Sequence, residues 1–339
     1  KYKMSYSNLN QNLCELHKFH YDNCPEFKLL VDNLNWQKYL NDKPEEIFVH
    51  ANLFKGSQLV SVNLKNDQIL KMTSSGTSGV KSNIYTDRLT RVNQQRALIK
   101  IFSDAFEISI KDRLNYYVIA NKDQSNKLNF DAQKAAIKGF SLFAKESYFL
   151  LDKDNNIIPE LLEKLSNEKN KFLIFGFTSN IYLILLKYLK ENRVRINSAN
   201  SFLLHGGGWK KMEKYKVNNE VFKREVEDYL PGINCKNYYG MIEQTGSIFM
   251  ECSKGFFHSN DYGDICVRNN NLEIQELAKP GFIQSISVLP KSYPGHSIVT
   301  EDIGICYGKD NCLCGKKGRY FKVLGRLRKS ELRGCSDVY

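Results

Sequence analysis

The apolar and polar positions along the chain change character three times. Residues 1–55 read as helices joined by turns, with Pro25 and Pro44 as punctuation. Between residues 58 and 72 apolar residues partly alternate with polar ones, which predicts strands. A Ser/Thr/Gly-rich run follows, and residues 87–106 then predict a helix. Helix and strand alternate from there to about residue 240. FLIFGF (172–177) is a buried strand, 181–189 a helix, SFLLHGGGW (201–209) a strand entering a glycine turn, and 214–230 another helix. After residue 255 the segments DICVR, LEIQE, FIQSISVL and SIVTEDIGICYG are short, β-like and separated by Asn, Pro and Gly. The pattern predicts a layered α/β fold with a more antiparallel β region after about residue 255. No internal repeat or low-complexity segment interrupts it.

Composition narrows the classes. A chain of 339 residues, 42% hydrophobic and 25% charged, is neither disordered nor fibrous. It has room for one large or two moderate domains. Forty-nine Lys and Arg against 37 Asp and Glu leave a net charge of +12, which points to anionic partners without naming one. No nucleic-acid module accompanies that charge, so nucleic acid is not expected as a partner. The most apolar stretch, 172–186, is broken by Thr178, Ser179 and Asn180 and falls short of the roughly 18 residues a membrane span needs. The first residues are polar, lack a signal-peptide core and lack an initiator Met, so a trimmed chain is expected. Nine cysteines without a secretory signal suggest cytoplasmic thiols, a metal site or a reactive Cys rather than a disulfide frame.

Several clusters carry candidate chemistry. TSSGTSGVK (73–81) sets the hydroxyls of Ser74, Ser75, Thr77 and Ser78 beside Gly76 and Gly79 and ends on Lys81. Glycines admit a close backbone approach to phosphate, hydroxyls donate, and a lysine adds charge. The run is not a Walker A loop, and a solvated linker has the same composition. HGGGW carries His205, Gly206, Gly207 and Gly208; it also resembles an esterase oxyanion turn, but the chain has no G-x-S-x-G elbow. Cys252 and His258 are spaced C-x5-H and Cys312 and Cys314 C-x-C. Three sulfurs and an imidazole suffice for tetrahedral Zn²⁺, with Cys306 as a substitute ligand; free thiols are the plain alternative. Cys335 lies near the end in LRGCSDVY, where Arg328, Lys329 and Arg333 could favour its thiolate.

The 73–81 run resembles the phosphate loop of adenylate-forming enzymes, the superfamily of acyl-CoA synthetases, adenylation domains and firefly luciferase, with one residue fewer before the lysine. YYGMIEQ (238–244) resembles the second signature at Tyr239, Gly240 and Glu243, with Ile242 in place of the usual hydroxyl. VTEDIG (299–304) and GRLRKSE (325–331) resemble the third and fourth, with Asp302 and Arg326. HGGGW sits where the superfamily has its glycine turn against adenine, with His205 placed there too. YYGMIEQTGSIF, PGHSIVTEDIG and ELRGCSD look like the LuxE-type acyl-protein synthetases specifically; phenylacetate–CoA ligases are more distant, and their zinc-containing relatives share the C-x-C-G of CLCG.

The resemblance implies an ATP- and Mg²⁺-dependent ligase that activates a carboxylic (fatty) acid as its acyl-adenylate. It implies that Ser74–Lys81 cradle the phosphates, with Thr77 and Lys81 catalytic, that Glu243 helps hold Mg²⁺, and that Tyr239 stacks on adenine. Asp302 would accept from the ribose hydroxyls and Arg326 lie near ribose and phosphate. Cys335 would take the acyl group as a thioester and deliver it to a partner such as an acyl reductase. The implied layout is an acyl-activating domain over 1–325 and a tail over 326–339. Only thirteen residues follow Arg326, so the catalytic lysine of the usual C-terminal domain has no assignable counterpart; Lys329 is the nearest substitute. An acyl- or aryl-CoA ligase, which would consume free CoA, and a non-catalytic nucleotide or partner binder remain as alternatives.

Overall fold

In a computed structural model, which describes residues 8–63, 68–74, 81–122 and 132–326, the chain opens on two short helices as the punctuation predicts. Asn8 caps α1 (Leu9–Asn23) by accepting from the Gln11 N–H at 3.3 Å. Pro25 starts α2 (Pro25–Asn33), at a position where its missing N–H costs nothing. A two-residue strand β1 (Val49–His50) and a single turn α3 (Leu53–Gly56) follow. The expected strands of 58–72 reduce to β2 (Leu70–Thr73), antiparallel to β3 (Asn83–Thr86); residues 58–63 are irregular. Asp87 then accepts from the Thr90 N–H at 2.8 Å and starts α4 (Arg88–Phe106).

The alternating stretch forms β4 (Leu114–Asn121), α5 (Ala132–Phe140), β5 (Ala144–Leu151), α6 (Pro159–Ser166) and β6 (Phe172–Phe177). Thr178–Asn180, Ile181–Leu186 and Lys187–Glu191 run on as one helix, α7, whose middle turn is π-type. Then come β7 (Phe202–Gly206), α8 (Asn219–Tyr229), β8 (Asn234–Tyr239) and β9 (Phe249–Met250). α8 starts later than the sequence predicts because Asn218 caps it, accepting from the Val221 N–H at 2.8 Å. The sheet order is β5-β4-β6-β7-β8-β9, parallel except for the last pair. β6 is buried at every position, as a central parallel strand covered on both faces must be.

The region after residue 255 is antiparallel, as expected. It comprises β10 (Phe257–His258), β11 (Gly263–Arg268), β12 (Pro280–Ser287), β13 (Ser297–Lys309) and β14 (Arg319–Arg326), in the order β10-β14-β13-β12-β11, with β1 parallel to β13. LEIQE is not a strand. Asn269 Oδ1 accepts from the N–H groups of Asn271 and Glu273 and folds the segment into a turn; one bridge, Arg268 to Ile274, is all that remains of the pairing. The chain divides into two compact units, residues 1–94 with 256–339, and residues 95–255.

In the first unit, three buried histidines fasten α1 to the sheet. His17 Nε2–H donates to Pro44 O at 2.8 Å, which leaves its Nδ1 to accept from His296 Nε2–H at 2.6 Å. His20 Nε2–H donates to Pro290 O at 3.1 Å, and its Nδ1 accepts from the Ser61 hydroxyl at 2.7 Å. The same logic leaves His296 Nδ1 a buried acceptor without a partner. Arg268, fully buried on β11, likewise ties the segment ahead of β1, donating to Glu46 and to Glu45 O.

Burial pushes the His17 pKa down to about 4 and the His20 pKa to about 3, and holds His296 well below its ordinary value. The folded protein therefore keeps all three neutral, whereas the unfolded chain takes up protons below about pH 6.5. Their contribution is complete above that pH and is lost as the pH falls. Between pH 6.5 and 5 each should remove about 2 kcal/mol of stability. Urea midpoints at pH 7 and pH 5 should differ accordingly, and His20→Gln should narrow the gap; midpoints independent of pH would contradict the neutral triad.

Candidate active site and metal cluster

In the 95–255 unit, strand register gathers two of the predicted motifs. Phe177 at the end of β6 lies opposite Gly206, and Gly206 lies opposite Tyr238. The glycine turn and the YYGMIEQ turn therefore leave the same carboxyl edge of the parallel sheet, where open α/β sheets bind ligands. Gly206 has no room for a side chain: a Cβ would stand 2.5 Å from the Tyr238 ring. Gly207 (φ +73°) and Gly208 (φ +61°) hold left-handed backbone that admits glycine readily. The Thr178 hydroxyl donates to Gly206 O at 3.2 Å and accepts from His205 Nδ1–H at 2.9 Å.

The His205 imidazole points into the core against Phe222, 4.3 Å between ring centroids, and its Nε2 has no partner. Burial, then the charge of Lys223, lowers its pKa to about 3 and keeps it neutral. Tyr239 stacks with Phe249 at 6.3 Å. Beyond Gly240, the turn Ile242–Gln244 places Glu243 in a buried position. Ile242, where the superfamily carries a hydroxyl, packs into the core at 5% exposure. Thr178 is the residue the motifs missed; its only sequence signal is its place directly after a buried strand.

The other unit holds the second set. At the neck of the Ser/Thr/Gly run, the Ser74 N–H donates to Ser82 O at 3.2 Å and the Ser82 N–H to Ser74 Oγ at 2.9 Å. The Thr73 and Ser82 hydroxyls are buried there without a partner, and Lys81 is exposed. Ser75, Gly76, Thr77, Ser78 and Gly79 lie outside the described residues. Asp302 on β13 is paired in register with Arg326 on β14, whose Nε lies 3.7 Å from Asp302 and 3.3 Å from Glu301. Burial tends to raise the Glu301 pKa, but the hydrogen bond from Asn52 and the charges of Arg326 and Lys55 bring it below the ordinary value. Cys335 and Lys329 lie outside the described residues.

Cys252, His258, Cys312 and Cys314 each offer a ligand atom, and these atoms all lie within 4.8 Å of one another. Two similar turns present the sulfurs. In CSKG the Gly255 N–H donates to Cys252 O at 3.0 Å, and in CLCG the Gly315 N–H donates to Cys312 O at 3.0 Å; both glycines have positive φ. Cys252 Sγ accepts from the Lys254 N–H and Cys314 Sγ from the Lys316 N–H, each at 3.4 Å. His258 is set by the pairing of β10 with β14, stacks on Tyr320 and turns Nε2 to within 3.3 Å of Cys314 Sγ. The donor set fits a closed tetrahedral zinc. Cys306 stays apart, buried with its thiol towards Gly308 O.

Residues 3–339 match the family described as “Acyl-protein synthetase, LuxE”. The chain belongs to this family. As an acyl-protein synthetase it is an AMP-forming ligase that makes an acyl-adenylate. It is 25% identical over 306 residues, 85% of this chain and 76% of the relative, to the long-chain-fatty-acid–luciferin-component ligase of Aliivibrio fischeri. The synthetase also shares its fold with 2-hydroxyisobutyryl-CoA ligase in the postadenylation state with 2-HIB-AMP, at a TM-score of 0.72 and 15% identity, over 94% of this chain and 67% of that one. A luciferase-like enzyme from the mealworm Zophobas morio matches at a TM-score of 0.51 and 13% identity, over 81% of this chain and 61% of that one. Among the described residues, no helix is long and apolar enough to cross a membrane.

Thr178→Val should leave the His205 Nδ1–H without its acceptor and the Gly206 carbonyl without its donor, costing about 1–3 kcal/mol. A thermal melt should fall by several degrees and Thr178→Ser should restore most of it; equal melts for the three proteins would contradict the arrangement.

Proposed function

We propose that the synthetase activates a long-chain fatty acid with ATP and passes the acyl group to its own Cys335. The acid's carboxylate attacks the α-phosphorus, the bond to the bridging oxygen breaks, and pyrophosphate leaves. The Cys335 thiolate then attacks the acyl carbon and AMP departs. Ser74 to Lys81 would meet the phosphates with N–H groups, hydroxyls and the lysine charge. Tyr239 and Gly206–Gly208 would meet adenine, and Asp302 and Arg326 the ribose side. Mg²⁺, when bound beside Glu243, would supply neutralisation of charge on the departing pyrophosphate. The thioester would be handed to an acyl-accepting partner such as a reductase. The observation that carries this reading is the family match, which extends through Cys335 to residue 339. The relative's long-chain fatty acid supports the choice of acid.

Zinc at Cys252, His258, Cys312 and Cys314 would be structural, because four protein ligands leave no open position. Elemental analysis of protein purified without added metal should find about one equivalent of zinc. Cys314→Ser should lower it, and metal-free wild type would remove the claim.

Intact-protein mass after incubation with ATP, Mg²⁺ and fatty acids of graded length should show one acyl adduct that hydroxylamine removes. The adduct should vanish in Cys335→Ser, while pyrophosphate release persists. An adduct that survives this substitution would refute the acceptor, and acyl-CoA formation in its place would favour the CoA-ligase reading. Asp302→Ala should raise the KM for ATP by about tenfold or more.

A further inference from the structure

One segment combines exposed apolar side chains with a lysine-rich sequence. Residues 209–216 read WKKMEKYK, with four lysines and one glutamate. Trp209 anchors the segment, 7% exposed and set edge-on to Tyr182 at 5.3 Å. The chain then rises through a short 3₁₀ stretch, Lys210–Tyr215, kinked at Met212. Met212 is 44% exposed and Tyr215 48% exposed. The Lys214 ammonium lies 4.8 Å from the centre of the Tyr215 ring, and Lys216 pairs with Glu213 at 2.9 Å, which neutralises the segment's only acid. The segment follows Gly208 directly, so it stands at the carboxyl edge of β7. Another apolar outcrop, Leu272, Ile274 and Leu277, is interleaved with Glu273 and Glu276 and carries no comparable charge.

We propose that residues 209–216 dock the synthetase on an anionic lipid surface, from which it collects its acid. Lysines meet the negative headgroup region, while Met212 and the amphipathic Tyr215 ring enter the boundary beneath it. The inference rests on the reading that the acid is a long-chain fatty acid, which partitions into bilayers and adds negative charge to them. A protein held at that interface meets its substrate at a far higher local concentration than in water. Each lysine near such a surface strengthens binding roughly fivefold, and salt removes the gain.

The test is sedimentation of the full chain with phosphatidylcholine vesicles, with and without phosphatidylglycerol. Binding should be at least about tenfold tighter on the anionic vesicles and should disappear at high salt. Lys210→Glu with Lys211→Glu and Lys214→Glu should abolish the preference. Met212→Ser with Tyr215→Ser should weaken anionic binding several-fold, while Lys187→Glu with Lys190→Glu on α7 should leave it unchanged. Equal binding to both vesicles, or equal loss in the α7 control, would overturn the proposal, the latter by showing a diffuse charge effect. So would a patch that mediates pairing of two copies, read by light scattering, with no vesicle binding. ATP–pyrophosphate exchange with a short water-soluble acid should be unaltered by the patch substitutions, confirming that they fold. Exchange that fails in the wild type with every acid, beside intact vesicle binding, would count against the activity and not against the docking surface.

Discussion

The register of β6, β7 and β8 is the constraint on which the carboxyl edge of the parallel sheet depends. Gly206 sits between Phe177 and Tyr238, and the Tyr238 ring occupies the volume a side chain at 206 would need. Any larger residue would push the glycine turn away from the neighbouring turn that carries Tyr239 and Glu243. Thr178 then holds that turn through one hydroxyl, donating to a carbonyl and accepting from an imidazole. Because His205 is neutral and enclosed, the edge gains rigidity without gaining a charge.

The chemistry-bearing clusters rest on supports of different kinds. The glycine turn is fixed by backbone geometry and steric exclusion. Asp302 and Arg326 are fixed by strand pairing, and Glu301, which accepts from Asn52, pairs with the same Arg326 Nε. The Cys/His cluster is fixed by two glycine-ended turns whose N–H groups already point at sulfur. The supporting residues are themselves ordinary in sequence, and only the motif glycines and acids advertise what they surround.

What could be read from the chain follows from this. FLIFGF declared itself because a strand covered on both faces has no polar positions to confuse it. The antiparallel tendency after residue 255 was legible from turn residues between short apolar runs. LEIQE misled because one amide, Asn269, outweighs its alternation. β4 and β5 attracted no expectation; LNYYVIAN and AKESYFLL mix polar and apolar positions, and the first half of β5 lies at a sheet edge with little burial. The two halves of the Cys/His cluster were visible as spaced pairs, but their meeting depends on β10 lying beside β14, which no local pattern records. Thr178 could not be found from sequence, since its role exists only once β6 and β7 are neighbours.

The hairpin that carries Cys312 and Cys314 joins the very strands that present Asp302 and Arg326. That ladder already contains two irregularities, between Ile303 and Gly304 and between Cys306 and Gly308. A strand displaced by a single position turns every side chain to the opposite face. A cation gripping the hairpin tip would thus act as a distant clasp on alignment: opening it would let β14 creep along β13 and carry Arg326 out of reach of its carboxylates.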